Sequence, residues 1–585
     1  MKRISRRWWR ASEAGTLALA VALAGCGGSS APTARPGTLS ARRHPAEPAH
    51  RTRCAELPPT DAPRVCAVAA LDPEAGAIEV RLVIPPEVLP EDRAEVQLRF
   101  RERCFGERYA EDFVEPLSHD AWPATLGAAR ATVELRYRVR LDSREGGAPG
   151  ARGGLSWRRP GGWHLTGQSF LPDVWVDGEA VEVPATLLLE TGDRPLWTAA
   201  GRDTRLFDAE SLTRLADEAY EVGPLTTTRR EAGDTTLLIG TSEEAGEARL
   251  EALADVVARA FEILDDVLGP PQADAILYAY HPIEGDERWA ERLGASLVQV
   301  GPGLPADPLY GQGAVTLREL AHLWNPGRHV LVEDWLEEGV TDYLAVKVAA
   351  TLSGATARQT ARVILRRHRA YAANADGRTA GEPSPGDAPW PTDGGLVAAY
   401  CLDTHLQRAG GSLEVALRSV LGRGEETLDA EDLLEELAAI APTSASYLAA
   451  LLSTRDAFAI DDCLERAGWS LREVTFDGAS DHSLAVDVLG APALRSHAHT
   501  QSMEVETAAD GSALETGDVL RRVHGHPVAE LLDVAWALRD VPPGEPFEVE
   551  LRRAGEARAV ELTLPEDLSR APRDYLELVA TEGTR

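Results

Sequence analysis

The chain has 585 residues, 44% hydrophobic and 26% charged, an ordinary globular composition with room for three or four domains. Its net charge of −33 argues against nucleic acid and against anionic membrane surfaces as partners. Six cysteines are present and none forms a C-x-x-C pair, so a cysteine zinc site is not expected.

Residues 1–25 carry a basic start (Lys2, Arg3, Arg6, Arg7, Arg10), the apolar run TLALAVALAG, and Leu23-Ala24-Gly25 ahead of Cys26. The run is too short to span a bilayer, so a cleaved leader is the reading. Leu-Ala-Gly-Cys resembles the lipobox of bacterial lipoprotein precursors, which implies that Cys26 becomes a lipidated amino terminus. Several acyl chains on one cysteine anchor stably. Gly27 carries no acidic cue for inner-membrane retention, which places the expected anchor in the bacterial outer membrane, facing periplasm or cell surface. Residues 26–55, rich in Gly, Ser, Pro, Ala and Arg, read as a flexible tether. In an oxidising compartment Cys54 with Cys66 is the expected bridge and Cys401 with Cys463 a second. The odd count then leaves a free thiol.

Residues 56–203 alternate apolar and polar side chains in AIEVRLVIP, AEVQLRF, ATVELRYRVRL and AVEVPATLLLE, with Pro and Gly turns between them, which predicts a β-sandwich. Residues 204–472 turn mainly helical. SEEAGEARLEALADVVARAFEILDDVLG has helix-period apolar residues, an acidic first turn and a Gly stop, and ADAILYAYHPI follows as a strand. Farther on, Leu317, Leu320, Ala321 and Trp324 recur at helical spacing until Asn325-Pro326-Gly327, and a second apolar stripe begins at Trp335. One turn apart on the first helix stand Glu319 and His322, and Glu338 returns from the second. The string Arg318-Glu319-x-x-His322 is one residue short of the His-Glu-x-x-His signature, in which two imidazoles hold zinc, the Glu deprotonates its water and a third ligand comes from downstream.

RELAHLWN followed by DWLEEGVTDYLA resembles the gluzincin metallopeptidases, and among them the glycyl aminopeptidase family. His322, Trp324, Asn325, Trp335, Glu338, Gly339, Thr341 and Tyr343 match the family pattern. The resemblance implies a thermolysin-like α+β peptidase domain at 204–472, an amino-terminal β-domain at 56–203, and His322 and Glu338 as zinc ligands with Glu319 as general base. Three departures stand against activity. Arg318 occupies the position of a zinc-binding His, and Arg has no lone pair to lend. Its fixed charge beside Glu319 and Glu338 is expected to take the metal's place. Glu291 and Arg292 align with a Glu-His pair whose Glu receives a substrate amino terminus, yet Arg288 and Trp289 stand where the family has glycines. Gly395, Leu396, Leu402, Asp403 and Leu406 match a later segment, but Pro391 and Thr392 fill the two tyrosine positions, one of which would donate to the oxyanion. Gly394 fills the lysine position. His329 is a conceivable replacement ligand.

Residues 473–566 resemble a PDZ domain, a β-barrel-like α+β module, through Gly517-Asp518-x-Leu520-x-x-Val523 and Gly525-x-x-Val528, the helix DVAWALRDV and the hairpin PFEVELRRAGEARAVELTL. Such grooves bind by adding a peptide strand to a sheet edge. The carboxylate loop is weakly marked, with DHSLAVDVLGAPAL the candidate. Residues 567–585 read as a polar, frayed or short-helical tail. The preferred reading is a lipid-anchored, non-catalytic relative of the aminopeptidases that needs no cofactor and binds peptides or envelope proteins through its cleft and PDZ groove. The alternative is a working zinc aminopeptidase with an altered metal shell.

Overall fold

The computed structural model describes residues 40–42 and, with breaks, 63–581, the larger breaks being 90–95, 101–113, 142–155, 283–288, 325–334, 383–389 and 424–429. Cys26, Cys54, Cys104 and His329 lie outside the described residues, as does the expected leader.

The amino-terminal region is built from sheets. A seven-stranded sheet runs edge to edge through Ser40–Arg42, Leu206–Ala209, Ala185–Glu190, Val65–Asp72, Ala77–Ile84, Val133–Arg140 and Val114–Pro116. A four-stranded sheet carrying Val96–Arg99 and Asp173–Val176 faces it. Alternation explains the pairing: Ile78, Val80 and Leu82 point inward from one sheet to meet Val96, Leu98 and Val174 of the other in one core. A third, five-stranded sheet includes β1 (Trp157–Arg159), β2 (Gly162–Thr166) and β3 (Ala219–Val222), and its Trp163, Leu165 and Val222 join the same core.

Three sequence expectations move. The boundary at 203/204 cuts through this region, because Leu206–Ala209 pairs with Ala185–Leu188 and β3 pairs with β2. Within the expected tether, Ser40–Arg42 pairs with Leu206–Asp208. The carboxyl-terminal tail is neither frayed nor helical over 570–580: it forms a strand, described below.

The central region opens with a five-stranded sheet in the order β4 (Thr226–Ala232), β5 (Thr235–Thr241), β6 (Ala275–Pro282), β8 (Ser296–Gly301), β7 (Trp289–Leu293). β5, β6 and β8 are parallel neighbours, so the chain needs a crossover between β5 and β6. Helix α1 (Glu247–Leu268) supplies it, burying Leu250, Leu253, Ala254, Val257, Phe261, Leu264 and Leu268 at three- and four-residue spacing. The helices that follow share a core with the sheet: α2 (Gly313–Ala321), a π-helical turn at Trp335–Val340, α3 (Thr341–Ser353), α4 (Ala357–Asn374), α5 (Trp390–Arg408) and α6 (Leu413–Gly422). The Cys401–Cys463 bridge, expected as a second disulfide, ties α5 to the short helix Asp461–Arg466. Cys66 is also disulfide-bonded.

The third region has its own core around Leu520, Val523, Val534, Trp536, Val549 and Leu564, formed by a twisted sheet and helix α7 (Leu531–Ala537). Its first strand, β9 (Trp469–Ala479), and the last of the chain, β10 (Arg570–Ala580), pair antiparallel residue for residue along their whole length. The module therefore starts at 469 and runs to 580, beyond the 473–566 drawn from the sequence.

Candidate functional site

Helix α2 turns Leu317, Leu320 and Ala321 fully into the core, which leaves Arg318, Glu319 and His322 on the flank that faces the π-helical turn. The His322 amide still bonds to the Arg318 carbonyl at 3.1 Å. The next two amides shift to three-residue spacing and tighten the end of the helix. Across from it, Glu338 forms an ion pair with Arg318, Nη2 of Arg318 contacting Glu338 Oε2, and His322 Nε2 lies 3.9 Å from the same oxygen. All three side chains are nearly buried, with exposures of 6% for Arg318, 13% for Glu338 and 10% for His322.

The position of Glu338 depends on two glycines that the sequence pattern picked out without a reason. A Cβ on Gly339 would lie 2.5 Å from Gly395 Cα, and one on Gly395 would lie 2.6 Å from the Trp335 carbonyl oxygen. The π-helical turn and α5 therefore touch backbone to backbone, which side chains would forbid. The π geometry itself was not expected. Gly394 has a comparable cause: a Cβ there would sit 2.8 Å from the Tyr371 ring, so that ring fills the space a lysine side chain would need to leave the helix.

Other matched residues turn out to hold the scaffold. Tyr343 donates its hydroxyl to Asp403 Oδ2 at 2.6 Å, and Asp403 also accepts Lys347 at 3.1 Å, Gln407 at 2.9 Å and the Leu413 amide at 2.9 Å, locking α3 to α5 and α6. Trp324 packs on Phe261 and donates its indole N–H to the Gly269 carbonyl. Beside the site, Arg367 of α4 bridges Asp342 and Asp393, the latter at 2.8 Å. Pro391 and Thr392 fall in the first turn of α5, where a proline costs no hydrogen bond. The backbone of Glu291 lies on the edge strand β7 opposite Val298, as the aligned pattern implies; its side chain is outside what is described.

Electrostatically the site holds a neutral imidazole. Burial pushes the His322 pKa well below its ordinary value, and the charges of Arg318 and Arg292 push it further, with Asp342 opposing. A zinc ion needs three lone-pair donors and a water position. Here the third position is a guanidinium seated on one of the two remaining donors, so these residues do not fit zinc.

A second group of similar composition escaped the sequence reading. Glu221 of β3, His164 of β2 and His281 of β6 converge with Arg159 of β1 at the junction of the amino-terminal and central regions. The available signal was a single Glu or His inside each of the apolar strands GWHLT, AYEV and AILYAYHP, although nothing in the sequence pairs them.

No family model and no curated protein matches the sequence. Solved structures do match the fold. The aminopeptidase N family protein of Idiomarina loihiensis superposes with a TM-score of 0.57 at 14% identity, over 87% of this chain and 98% of its own. The two chains share that fold. An M1 zinc metallopeptidase from Deinococcus radiodurans has a TM-score of 0.43 at 15% identity, covering 68% of this chain and 94% of its own.

Proposed function

We propose that this chain is a lipid-anchored cell-envelope protein that has kept an aminopeptidase scaffold without its hydrolysis and uses it to bind peptides or a partner protein. The observation that carries this reading is the contact of Arg318 with Glu338, a fixed cation where a metal would be held. The neutral, buried His322 and the proline and threonine at 391 and 392 support it, since the site lacks both a third ligand and a phenolic oxyanion donor at those positions. Lipidation at Cys26 and an outer-membrane location rest on the leader pattern. PDZ-type peptide capture rests on the Gly517-Asp518 signature and on the strand Ala493–His497, which pairs on one side with Ser502–Thr507 and has Ser496 donating to the Ala529 carbonyl just ahead of α7.

The test is metal analysis of the purified mature chain, followed by assay on peptides with amino-terminal glycine or alanine. Substoichiometric zinc and background cleavage are expected. One zinc per chain together with chelator-sensitive cleavage would establish the alternative, a working zinc aminopeptidase.

A further inference from the structure

Glu221 is fully buried, and three cationic or potentially cationic side chains converge on it. Arg159 donates from Nε to Oε2 at 3.0 Å. His164 Nδ1 lies 2.6 Å from Oε1, and His281 Nε2 lies 3.0 Å from the same oxygen. Arg159 and His164 belong to the same sheet as Glu221, whereas His281 reaches across from the central sheet. Each of these side chains is at most 1% exposed. The Trp157 ring packs on both imidazoles, at 5.7 and 5.3 Å.

Proton accounting fixes the charge state. With Arg159 and Glu221 ionised the group is neutral only if both imidazoles are neutral, each giving its single N–H to Glu221. His281 Nδ1 is then free to accept the Ser242 hydroxyl, 3.2 Å away. His164 Nε2 is buried with no hydrogen-bond partner among the described residues. A lone pair tolerates that isolation; an N–H⁺ does not.

We propose that this group is a metal-free, acid-released clasp that holds the amino-terminal β-region against the central sheet. A His-Glu-His set is also a donor set for a divalent cation, but the spacings are those of hydrogen bonds. Donors bound at about 2.0–2.2 Å around one tetrahedral zinc stand roughly 3.3 Å apart, wider than the 2.6 and 3.0 Å here. Arg159 already neutralises the only carboxylate, so a dication would leave excess positive charge in a dry site.

The pH sense follows from the groups facing His281: Glu221, Arg159, His164 and the Ser242 hydroxyl. Burial lowers the His281 pKa; Glu221 opposes this, and Arg159 and His164 add to it. A group whose folded pKa is depressed binds its proton more readily once the junction opens. The clasp is therefore at full strength above the ordinary imidazole value, about 6.5, and weakens as pH falls below it.

The experiment is hydrogen exchange on the mature chain, followed in peptides spanning 219–222 and 275–282 and corrected for intrinsic rates. From about pH 7.5 to about pH 5, the opening equilibrium is expected to rise up to about tenfold per pH unit below about 6.5 for each proton taken up. In the double variant His164→Asn, His281→Gln, whose amides keep the donors without titrating, that slope should be lost. Protection independent of pH in the natural chain, or an unchanged slope in the variant, overturns the clasp. So does stoichiometric zinc in the natural chain that the variant lacks. If the double variant does not fold, the slope of the natural chain and of His281→Gln alone decides.

Discussion

The chain contains two clusters made of the same parts, an arginine, a glutamate and histidine, and they are finished to different degrees. At the domain junction Arg159 uses every nitrogen: Nε on Glu221, Nη1 on the Pro224 carbonyl at 3.1 Å and Nη2 on the Val222 carbonyl at 3.0 Å. At the aminopeptidase-like site Arg318 contacts Glu338, while its Nε is buried without a hydrogen-bond partner among the described residues. A buried guanidinium with a partner on every nitrogen is a structural element, because those bonds offset much of its desolvation. Arg318, seated on a single carboxylate with its Nε left over, lacks that full offset.

Parallel substitutions sharpen that contrast. Arg159→Met strands the Glu221 carboxylate in a dry site and is expected to cost about 3–5 kcal/mol in urea unfolding. Arg318→Met leaves Glu338, which keeps some solvent exposure, and should cost about 1–3 kcal/mol. Equal or reversed costs would erase the distinction. Tyr343→Phe removes one donor from the many that Asp403 accepts, an expected loss of about 0.5–1.5 kcal/mol by the same measurement. The smallest expected effect is catalytic: Arg318→His should bring zinc near one per chain by metal analysis yet leave cleavage of glycine and alanine peptides at background. Restored turnover would show that the tyrosines absent at 391 and 392 are not needed.

Much of the aminopeptidase-like site was legible because its signals are local. His322 and the helix Gly313–Ala321 that leads to it are set by spacing within a few turns, Glu338 lies across from His322, and Glu291 falls on the edge strand β7. The sequence missed features defined by distant partners. Glu221, His164 and His281 meet only through tertiary packing, so each looks like an isolated charge in its own strand. The pairing of β10 with β9 was hidden for another reason: most of the ribbon's residues are exposed or half-exposed, so no strong apolar alternation marks it. The boundary at 203/204 falls inside the β-region because Leu206–Ala209 and Ala219–Val222 are short strands whose sheet partners, Ala185–Leu188 and Trp163–Thr166, lie earlier in the chain.

The ribbon of β9 and β10 brings the two ends of the third module together, with Trp469 opposite Ala580 and the Thr581 amide on the Gly468 carbonyl at 2.9 Å. A tug on the carboxyl end would thus open it like a zip, rung by rung from the root, instead of loading all the rungs at once. A label attached at Ala580 would stand beside Trp469, where the module leaves the central region.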